Sequence, residues 1–265
     1  MLSEDKFYDL VKTYKFIANK SLGQNFLINP ATCKNIVTKL DIDSEDNILE
    51  IGGGLGSLTY FLSQQKGDKT IIDIDEKMLG FLQENFKNIG DLHIKYQNIL
   101  KYDLTRFTKI IGNLPYYITS LIIEHVLLNA VNAKKIVLMC QKEVYPKLLP
   151  SSKSPLSIFL NYVCKISSPY NVSRNNFVPV PHVDSVVFEL VPNENIKDLS
   201  NKDLFKLISA MFIYRRKTIL NSLAAYIGNK EKALVYLQKS NINEMLRPEQ
   251  IDINGYKTLL KILKS

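Results

Sequence analysis

Apolar and polar positions in the first 191 residues alternate between two spacings. Short apolar runs of strand length are followed by segments whose apolar residues recur every three or four positions. Strand–helix alternation at this spacing predicts a parallel sheet with helices on both faces. The predicted strands cover 47–51, 69–75, 92–98, 108–113 and 134–140, and the main helices between them cover 57–65, 76–86 and 118–130.

The segments on either side of this alternation complete the first domain. Helices are predicted near 4–14 and 30–40, the second with Asn29 as N-cap and Pro30 at its first position. Beyond 140 the pattern indicates a helical turn or two, a helix and then two strands that form an antiparallel end of the sheet. These segments cover 141–149, 154–164, 165–173 and 185–192.

The pattern changes after Pro192. Residues 193–203 form a polar linker, and from Leu204 onward the apolar residues keep helical spacing. We therefore predict two domains, 1–195 and 196–265. The fold class is α/β, with a Rossmann-like sheet and a small C-terminal all-helical domain.

Charge separates the same two regions. Residues 1–191 hold 21 Lys+Arg and 19 Asp+Glu, a net +2, whereas residues 192–265 hold 13 and 7, a net +6. Such a basic segment suggests a polyanionic partner, with an ordinary solvated surface as the alternative. No apolar run approaches the ~20 residues of a membrane helix. The three cysteines form no disulfide framework, which predicts a reducing, cytoplasmic setting. Neither they nor the three histidines have metal-ligand spacing, so no metal is expected.

A glycine-rich turn follows the first predicted strand. Gly52, Gly54 and Gly56 depart from the dinucleotide fingerprint, so a diphosphate cradle is disfavoured and a nucleoside remains allowed. Asp73 ends the second strand 21 residues after Gly52, where a carboxylate can bind both ribose hydroxyls. Asn98 ends the third strand and either faces an adenine or is a turn residue.

The stretch "NLPY" (113–116) follows the fourth predicted strand. The side-chain oxygen of Asn113 and the carbonyl of Leu114 could accept both hydrogens of an exocyclic amine and direct its lone pair at an electrophile. Pro115 stiffens the loop, and Tyr116 would stack on the flipped-out base, a contact worth ~1–3 kcal/mol. The alternative is a proline turn with core aromatics.

Together, these motifs resemble those of adenine-N6 methyltransferases that use S-adenosylmethionine. Further stretches are similar to the ribosomal RNA adenine dimethyltransferase family, which dimethylates two adjacent adenines near the 3′ end of small-subunit rRNA. They are spread in order over nearly the whole chain: "KSLGQNFL" (20–27), "QKEV" (141–144), "FVPVPHVDS" (177–185) and "RRKTILNSL" (215–223).

The resemblance implies two sets of site residues. Phe177 would cover the second face of the target base, although a core anchor is the competing interpretation of its proline-stiffened loop. The catalytic set comprises Asn113, Leu114, Pro115, Tyr116 and Phe177. The set that binds S-adenosylmethionine comprises Asn25, Leu27, Gly52, Gly54, Asp73, Asn98 and Asn113.

Two cofactor positions depart from the family pattern. Asp73 stands where the family usually has Glu, and Asn98 where it usually has Asp beside the adenine amine. An amide loses the charge-assisted bond, so we expect weaker cofactor affinity without loss of binding. In the basic tail, Arg215, Arg216 and Lys217 at a predicted helix start are expected to bind RNA phosphates.

The expected function is dimethylation of small-subunit rRNA in an immature ribosomal subunit, by a monomer that needs neither a membrane nor a metal. A first alternative is the related large-subunit rRNA methyltransferase that confers antibiotic resistance; "VDS" (183–185) and "RRKTILNSL" disfavour it. A second alternative is a non-catalytic ribosome-assembly factor. The intact clamp formed by Asn113 and Tyr116 disfavours that interpretation, whereas Asn98 leaves it open.

Overall fold

The computed structural model of the protein describes residues 2–14 and 24–265. By its internal contacts the chain divides into two compact units, Met1–Tyr145 with Lys165–Pro192, and Pro146–Cys164 with Asn193–Ser265. The break after Pro192 lies three residues from the predicted boundary. The segment 146–164, which the sequence pattern leaves with the sheet, groups with the helical unit instead.

Ten α-helices and ten strands occur in the described residues, with short 3-10 turns between them. The helices are α1 Glu4–Thr13, α2 Pro30–Thr38, α3 Ser57–Leu62, α4 Glu76–Phe86, α5 Thr119–Asn129, α6 Pro155–Val163, α7 Asn201–Phe212, α8 Ile219–Ile227, α9 Lys230–Lys239 and α10 Ile253–Lys264. The strands are β1 Phe26–Leu27, β2 Asn47–Ile51, β3 Asp68–Asp73, β4 Leu92–Tyr96, β5 Lys109–Asn113, β6 Lys135–Gln141, β7 Cys164–Ile166, β8 Tyr170–Val172, β9 Phe177–Val178 and β10 Ser185–Pro192.

The main sheet has the mixed topology that the pattern predicts. Its order is β4-β3-β2-β5-β6-β10-β7, with β8 also paired to β10. The strands from β4 to β6 are parallel, and β10 runs antiparallel to β6. The predicted parallel sheet with an antiparallel end is therefore confirmed. A separate two-stranded pair, β1 with β9, was not predicted because each strand has only two residues.

The central strands are buried because helices cover both faces of the sheet. In β2, Ile48 and Leu49 are fully buried, and Ile51 is 2% exposed. Strands buried on both faces have near-continuous apolar sequences, as β2, β5 and β6 do. This arrangement brings the carboxyl ends of β2, β3 and β5 to one edge of the sheet.

The first helix extends this core. Phe7 stacks on Tyr60 of α3 with ring centroids 4.8 Å apart, and the Tyr8 hydroxyl donates to the Ser57 carbonyl at 2.7 Å. In α2 the predicted N-cap is confirmed, because the Asn29 side chain accepts the Thr32 N–H at 2.9 Å.

The second unit is helical, as predicted for the C-terminal segment. Phe159 of α6 packs against Phe205 of α7 with ring centroids 5.3 Å apart, which explains why 146–164 belongs here. Tyr256 of α10 is fully buried, and its hydroxyl donates to the Pro248 carbonyl at 2.8 Å. No helix in the described part of the chain is long and apolar enough to cross a membrane.

Candidate active site

An open cleft lies at the carboxyl ends of the parallel strands, within the first unit. Strand ends and the loops that follow them supply most of its wall, as expected for an open α/β sheet. It is lined by Gln24, Asn25, Phe26, Ile51, Gly52, Gly54, Ile72, Asp73, Ile74, Gln97, Asn98, Ile99, Asn113, Leu114, Pro115, Tyr116, Tyr117, Ile118 and Ile122. The set includes most of the predicted cofactor and catalytic residues.

The glycine turn between β2 and α3 requires its glycines. Gly52 and Gly54 have φ angles of +73° and +53°, a region that other residues rarely adopt. A Cβ on Gly54 would lie 3.2 Å from the Phe26 ring, which leaves little room for any side chain. A ligand can therefore approach the backbone of the turn closely at the floor of the cleft.

Asp73 ends β3 beside this turn, as predicted. Its Oδ2 accepts the Gly54 N–H at 2.9 Å, and its Oδ1 accepts the Asp75 N–H at 2.9 Å. Burial raises the pKa of the Asp73 carboxyl, and these backbone donors oppose that rise. The carboxylate thus holds the glycine turn in shape while it lines the cleft.

Asn98 also lines the cleft, two residues beyond the end of β4. Its Oδ1 accepts the Leu100 N–H at 2.9 Å and caps a 3-10 turn. The interpretation as a turn residue is therefore confirmed, and the contact with an adenine stays a prediction. Because the cap uses Oδ1, the other side-chain position holds an NH₂ group, which repels an amine such as that of adenine.

We expect Asn98→Asp to tighten S-adenosylmethionine binding by about 1 kcal/mol, roughly fivefold in Kd. One carboxylate oxygen can keep the Leu100 cap while the second replaces the NH₂ donor with a charged acceptor. Calorimetry on both proteins measures the change. An equal or weaker affinity in the variant would show that Asn98 does not face the adenine.

Asn113 and Leu114 carry the donor and acceptor pattern expected of an amine clamp. Asn113 Nδ2 donates to the Asn25 carbonyl at 3.0 Å, which orients the side-chain amide, and the Leu114 N–H donates to the Met139 carbonyl at 2.9 Å. Within the described residues, no protein donor reaches Asn113 Oδ1 or the Leu114 carbonyl oxygen. Both oxygens can therefore accept hydrogens from a ligand.

The two tyrosines of the loop differ in environment. Tyr116 is half-buried on the cleft wall; burial raises its pKa, and its hydroxyl lies 3.5 Å from Ser185 Oγ. Tyr117 is 53% exposed at the rim. A rigid aromatic wall beside two available acceptors suits a planar base.

A short segment before and within β1 covers part of the cleft, and only one of its three residues is predicted from the sequence. We call residues 24–26 the flap. Asn25 lines the cleft as predicted, but Gln24 and Phe26 line it too. The stretch "KSLGQNFL" (20–27) contains both residues, so the family resemblance could have indicated them. Its residues 20–23 lie outside the described residues.

Two residues predicted to contact ligands, Leu27 and Phe177, do not line the main cleft. Leu27 is 2% exposed and lines a smaller cavity beside the glycine turn, together with Glu50. Phe177 is fully buried in the core cluster, paired with Leu27 across β1 and β9. Its expected exposure to a target base is therefore wrong for this structure. The core-anchor interpretation fits instead, because the Phe177 ring lies in the core where β9 pairs with β1.

Glu50 was not singled out from the sequence. It is 1% exposed, and the Thr59 hydroxyl donates to its Oε2 at 2.7 Å. Burial raises the pKa of Glu50 to about 8, since ionisation without a counter-charge is costly in the core. The smaller cavity thus contains a buried carboxyl group whose ionisation would require a cationic partner.

The three tail cations lie in the turn between α7 and α8, not at a helix start. Arg215 forms an ion pair with Glu249, so it already has a carboxylate partner. Lys217 Nζ lies 4.8 Å from the centre of the Tyr214 ring. Arg216 is exposed and has no side-chain bond to any other residue that the structure describes.

The described residues contain no group of three or more His, Cys, Asp or Glu side chains arranged to hold a metal ion.

Comparison with known proteins identifies the family. The family model for ribosomal RNA adenine dimethylase matches residues 15–264. The small-subunit rRNA methyltransferase A of Streptococcus gordonii is 33% identical over 276 residues, covering 97% of this chain and 95% of the relative. The protein of the same name from Alkaliphilus metalliredigens is 34% identical over 278 residues, covering 98% and 97%.

Solved structures agree on the fold. A dimethyladenosine transferase from Plasmodium falciparum is 28% identical with a TM-score of 0.72, covering 89% of this chain and 96% of its own. The 23S rRNA methyltransferase ErmE has a TM-score of 0.62 at 20% identity, covering 91% and 100%, and supports the fold alone. The chain therefore belongs to the ribosomal RNA adenine dimethylase family.

Proposed function

We propose that this protein transfers methyl groups from S-adenosylmethionine to N6 of two adjacent adenines near the 3′ end of small-subunit rRNA. The products are dimethyladenosines made during ribosome biogenesis. The observation that carries this proposal is the pair of oxygens on Asn113 and Leu114 that no donor among the described residues reaches, beside Tyr116 in the cleft. This pattern of acceptors suits an exocyclic amine with two hydrogens.

The residues at the cleft floor fit S-adenosylmethionine. The glycine turn leaves space that a Cβ would fill, and Asp73 offers a carboxylate at the distance along the chain expected for a ribose partner. Glu50 and Leu27 in the smaller cavity suit a cationic amino group with an aliphatic stem. When bound, the cofactor supplies an activated methyl group on a sulfonium centre.

The chain's own residues then act on the target base. Tyr116 stacks on the adenine and holds it in the cleft. Asn113 Oδ1 and the Leu114 carbonyl accept the two N6 hydrogens, which localises the nitrogen lone pair toward the methyl group. The nitrogen would form a bond to the methyl carbon while the sulfur–carbon bond of the donor breaks and S-adenosylhomocysteine leaves. The resulting ammonium would lose its proton to water, so no dedicated base is required.

The partner we propose is small-subunit rRNA in an immature ribosomal subunit, bound in the cytoplasm by a monomer that needs no metal. The net charge of +6 over residues 192–265 supports an RNA partner. Because Arg215 is already paired, Arg216 and Lys217 are the better candidates for phosphate contacts. The ion pair to Glu249 gives Arg215 a structural role in the helical unit.

We expect Arg216→Gln with Lys217→Gln to flatten the slope of log affinity for rRNA against log salt by about 1.5, since each lost phosphate contact removes about 0.7–0.9. The melting temperature should stay unchanged. Arg215→Gln is the matched control, and it should lower the melting temperature slightly with a smaller effect on the slope. An unaltered slope in the double variant would remove these two residues from the RNA interface.

Methylation and binding assays on two substrates test the proposed function against its alternatives. Purified protein with S-adenosylmethionine should convert two adjacent adenines of immature small subunits to dimethyladenosine, as read by mass spectrometry of the rRNA. Methylation of naked large-subunit rRNA instead would support the resistance-type alternative. Binding to small subunits without any methylation would support an assembly factor.

A further inference from the structure

We infer that Gln24 is a positioning residue that holds the catalytic amide of Asn113 in its productive orientation. This inference rests on the proposed function. It concerns the flap, whose side chains and backbone bridge the cleft from the acidic end of β3 to the end of β5. The role proposed for Gln24 acts through Asn25 and Asn113, and not through contact with the target amine or the methyl donor.

Among the described residues, two hydrogen bonds connect the flap to both sides of the cleft. Gln24 Nε2 donates to Asp75 Oδ2 at 2.7 Å, next to Asp73 at the ribose end. At the opposite end, the Asn25 carbonyl accepts Asn113 Nδ2 at 3.0 Å. Gln24 and Asn25 are neighbours in the chain, so a shift of Gln24 displaces the Asn25 carbonyl.

The bond to Asn25 decides which end of the Asn113 amide faces the target. A side-chain amide presents either its oxygen or its NH₂ group after a half-turn, and the two ends have nearly the same shape. Because the Asn25 carbonyl is an acceptor, it selects the NH₂ group and directs Oδ1 elsewhere. The reversed amide would oppose two acceptors at the flap and offer a donor to the N6 hydrogens.

The C-terminal side of the flap has its own anchor. Phe26 and Leu27 pair with β9, and the Ile28 N–H donates to the Asn176 carbonyl at 2.8 Å. The Gln24 bond secures the opposite side. Its acceptor is well placed, because Asp75 Oδ1 accepts the Lys77 N–H at 3.0 Å and caps α4, which fixes the carboxylate. The Gln24–Asp75 bond therefore has a rigid partner.

The test exchanges the donor and acceptor of this bond. Gln24→Glu places two carboxylates together and should lower kcat about 10- to 100-fold, the range expected for losing a charge-assisted hydrogen bond that orients a reacting group. Affinity for S-adenosylmethionine should fall by less than the change in kcat. Adding Asp75→Asn should restore kcat to within about threefold of wild type, because the new amide keeps the α4 cap with its oxygen. Its NH₂ group then donates to the carboxylate introduced in the flap.

Two controls accompany the exchange. Gln83→Glu makes the same chemical change on the exposed face of α4 and should leave kcat unaltered. Asp75→Asn alone keeps the cap and should cost less than Gln24→Glu. A normal kcat in Gln24→Glu, or a loss that the double variant fails to restore, overturns the inference. Equal losses in kcat and cofactor affinity also overturn it, since the flap would then act on the cofactor alone.

A readout that needs no turnover separates this inference from the proposed function. The side-chain amide protons of Asn113, assigned by NMR with the help of Asn113→Ala, should exchange faster with solvent in Gln24→Glu. Exchange should slow again in the Gln24→Glu, Asp75→Asn double variant. Unchanged exchange in Gln24→Glu overturns the inference even if the wild-type protein methylates rRNA. Absence of rRNA methylation by the wild type would overturn the proposed function while leaving this measurement valid.

Discussion

Asn113→Ala should reduce kcat for rRNA methylation by about 10²–10³-fold, the usual cost of removing one group that stabilises charge in a transition state. The variant loses Oδ1, which the target amine needs, together with the Nδ2 bond to the Asn25 carbonyl. Affinity for S-adenosylmethionine should fall by a much smaller factor. Single-turnover methylation and calorimetry on the same preparation measure both quantities.

Asn113→Asp refines this test. The carboxylate keeps an acceptor for the N6 hydrogens but has no hydrogen to donate, so it repels the Asn25 carbonyl. We therefore expect Asn113→Asp to be far less active than wild type although it retains the oxygen. Asn132→Ala, which removes an exposed amide bonded to the Thr105 carbonyl, is the control and should remain active. A kcat within about threefold of wild type for Asn113→Ala would rule out the clamp.

Asp73→Asn should weaken S-adenosylmethionine binding by roughly 10- to 150-fold, corresponding to the about 1.5–3 kcal/mol of hydrogen bonds to a charged group. The amide loses the charge that suits two ribose hydroxyls. It also has one acceptor atom where the carboxylate uses two, so either the Gly54 or the Asp75 N–H loses its partner. Calorimetry measures the affinity, and binding of rRNA alone should be unaffected.

The pH dependence gives a second signature for Asp73. Burial raises the pKa of this carboxyl, and cofactor binding favours its ionised form. The affinity for S-adenosylmethionine should therefore be highest above the raised pKa and should fall as the pH drops through that pKa. The fall should occur at a higher pH than for an ordinary aspartate. Asp73→Asn should lack this dependence, whereas Asp73→Glu, the residue usual in the family, should keep both the affinity and its pH response. A flat profile in the wild type would contradict the assignment.

Local sequence determined most of the fold and the floor of the cleft. Helices and strands follow from apolar spacing because each element must bury one face or both, and parallel strands then place their carboxyl ends together. The positions of Asp73 and Asn113 follow directly, since each ends a strand. The glycine turn is also local, because the φ angles of Gly52 and Gly54 require glycine regardless of surroundings.

Tertiary structure decided the features that depend on partners distant in the chain. Phe177 is in the core because β9 pairs with β1, a strand far earlier in the chain, and no local pattern encodes a two-residue pairing. Arg215 is paired because Glu249 folds back beside it, and the Asn113 amide is oriented by Asn25 from the flap. Such contacts depend on how the helices and strands pack against one another. The charge and the spacing of residues along the chain do not specify that packing. The sequence by itself therefore determined the family, the sheet and the identity of the acceptors, whereas the packed structure alone decided which way those groups face.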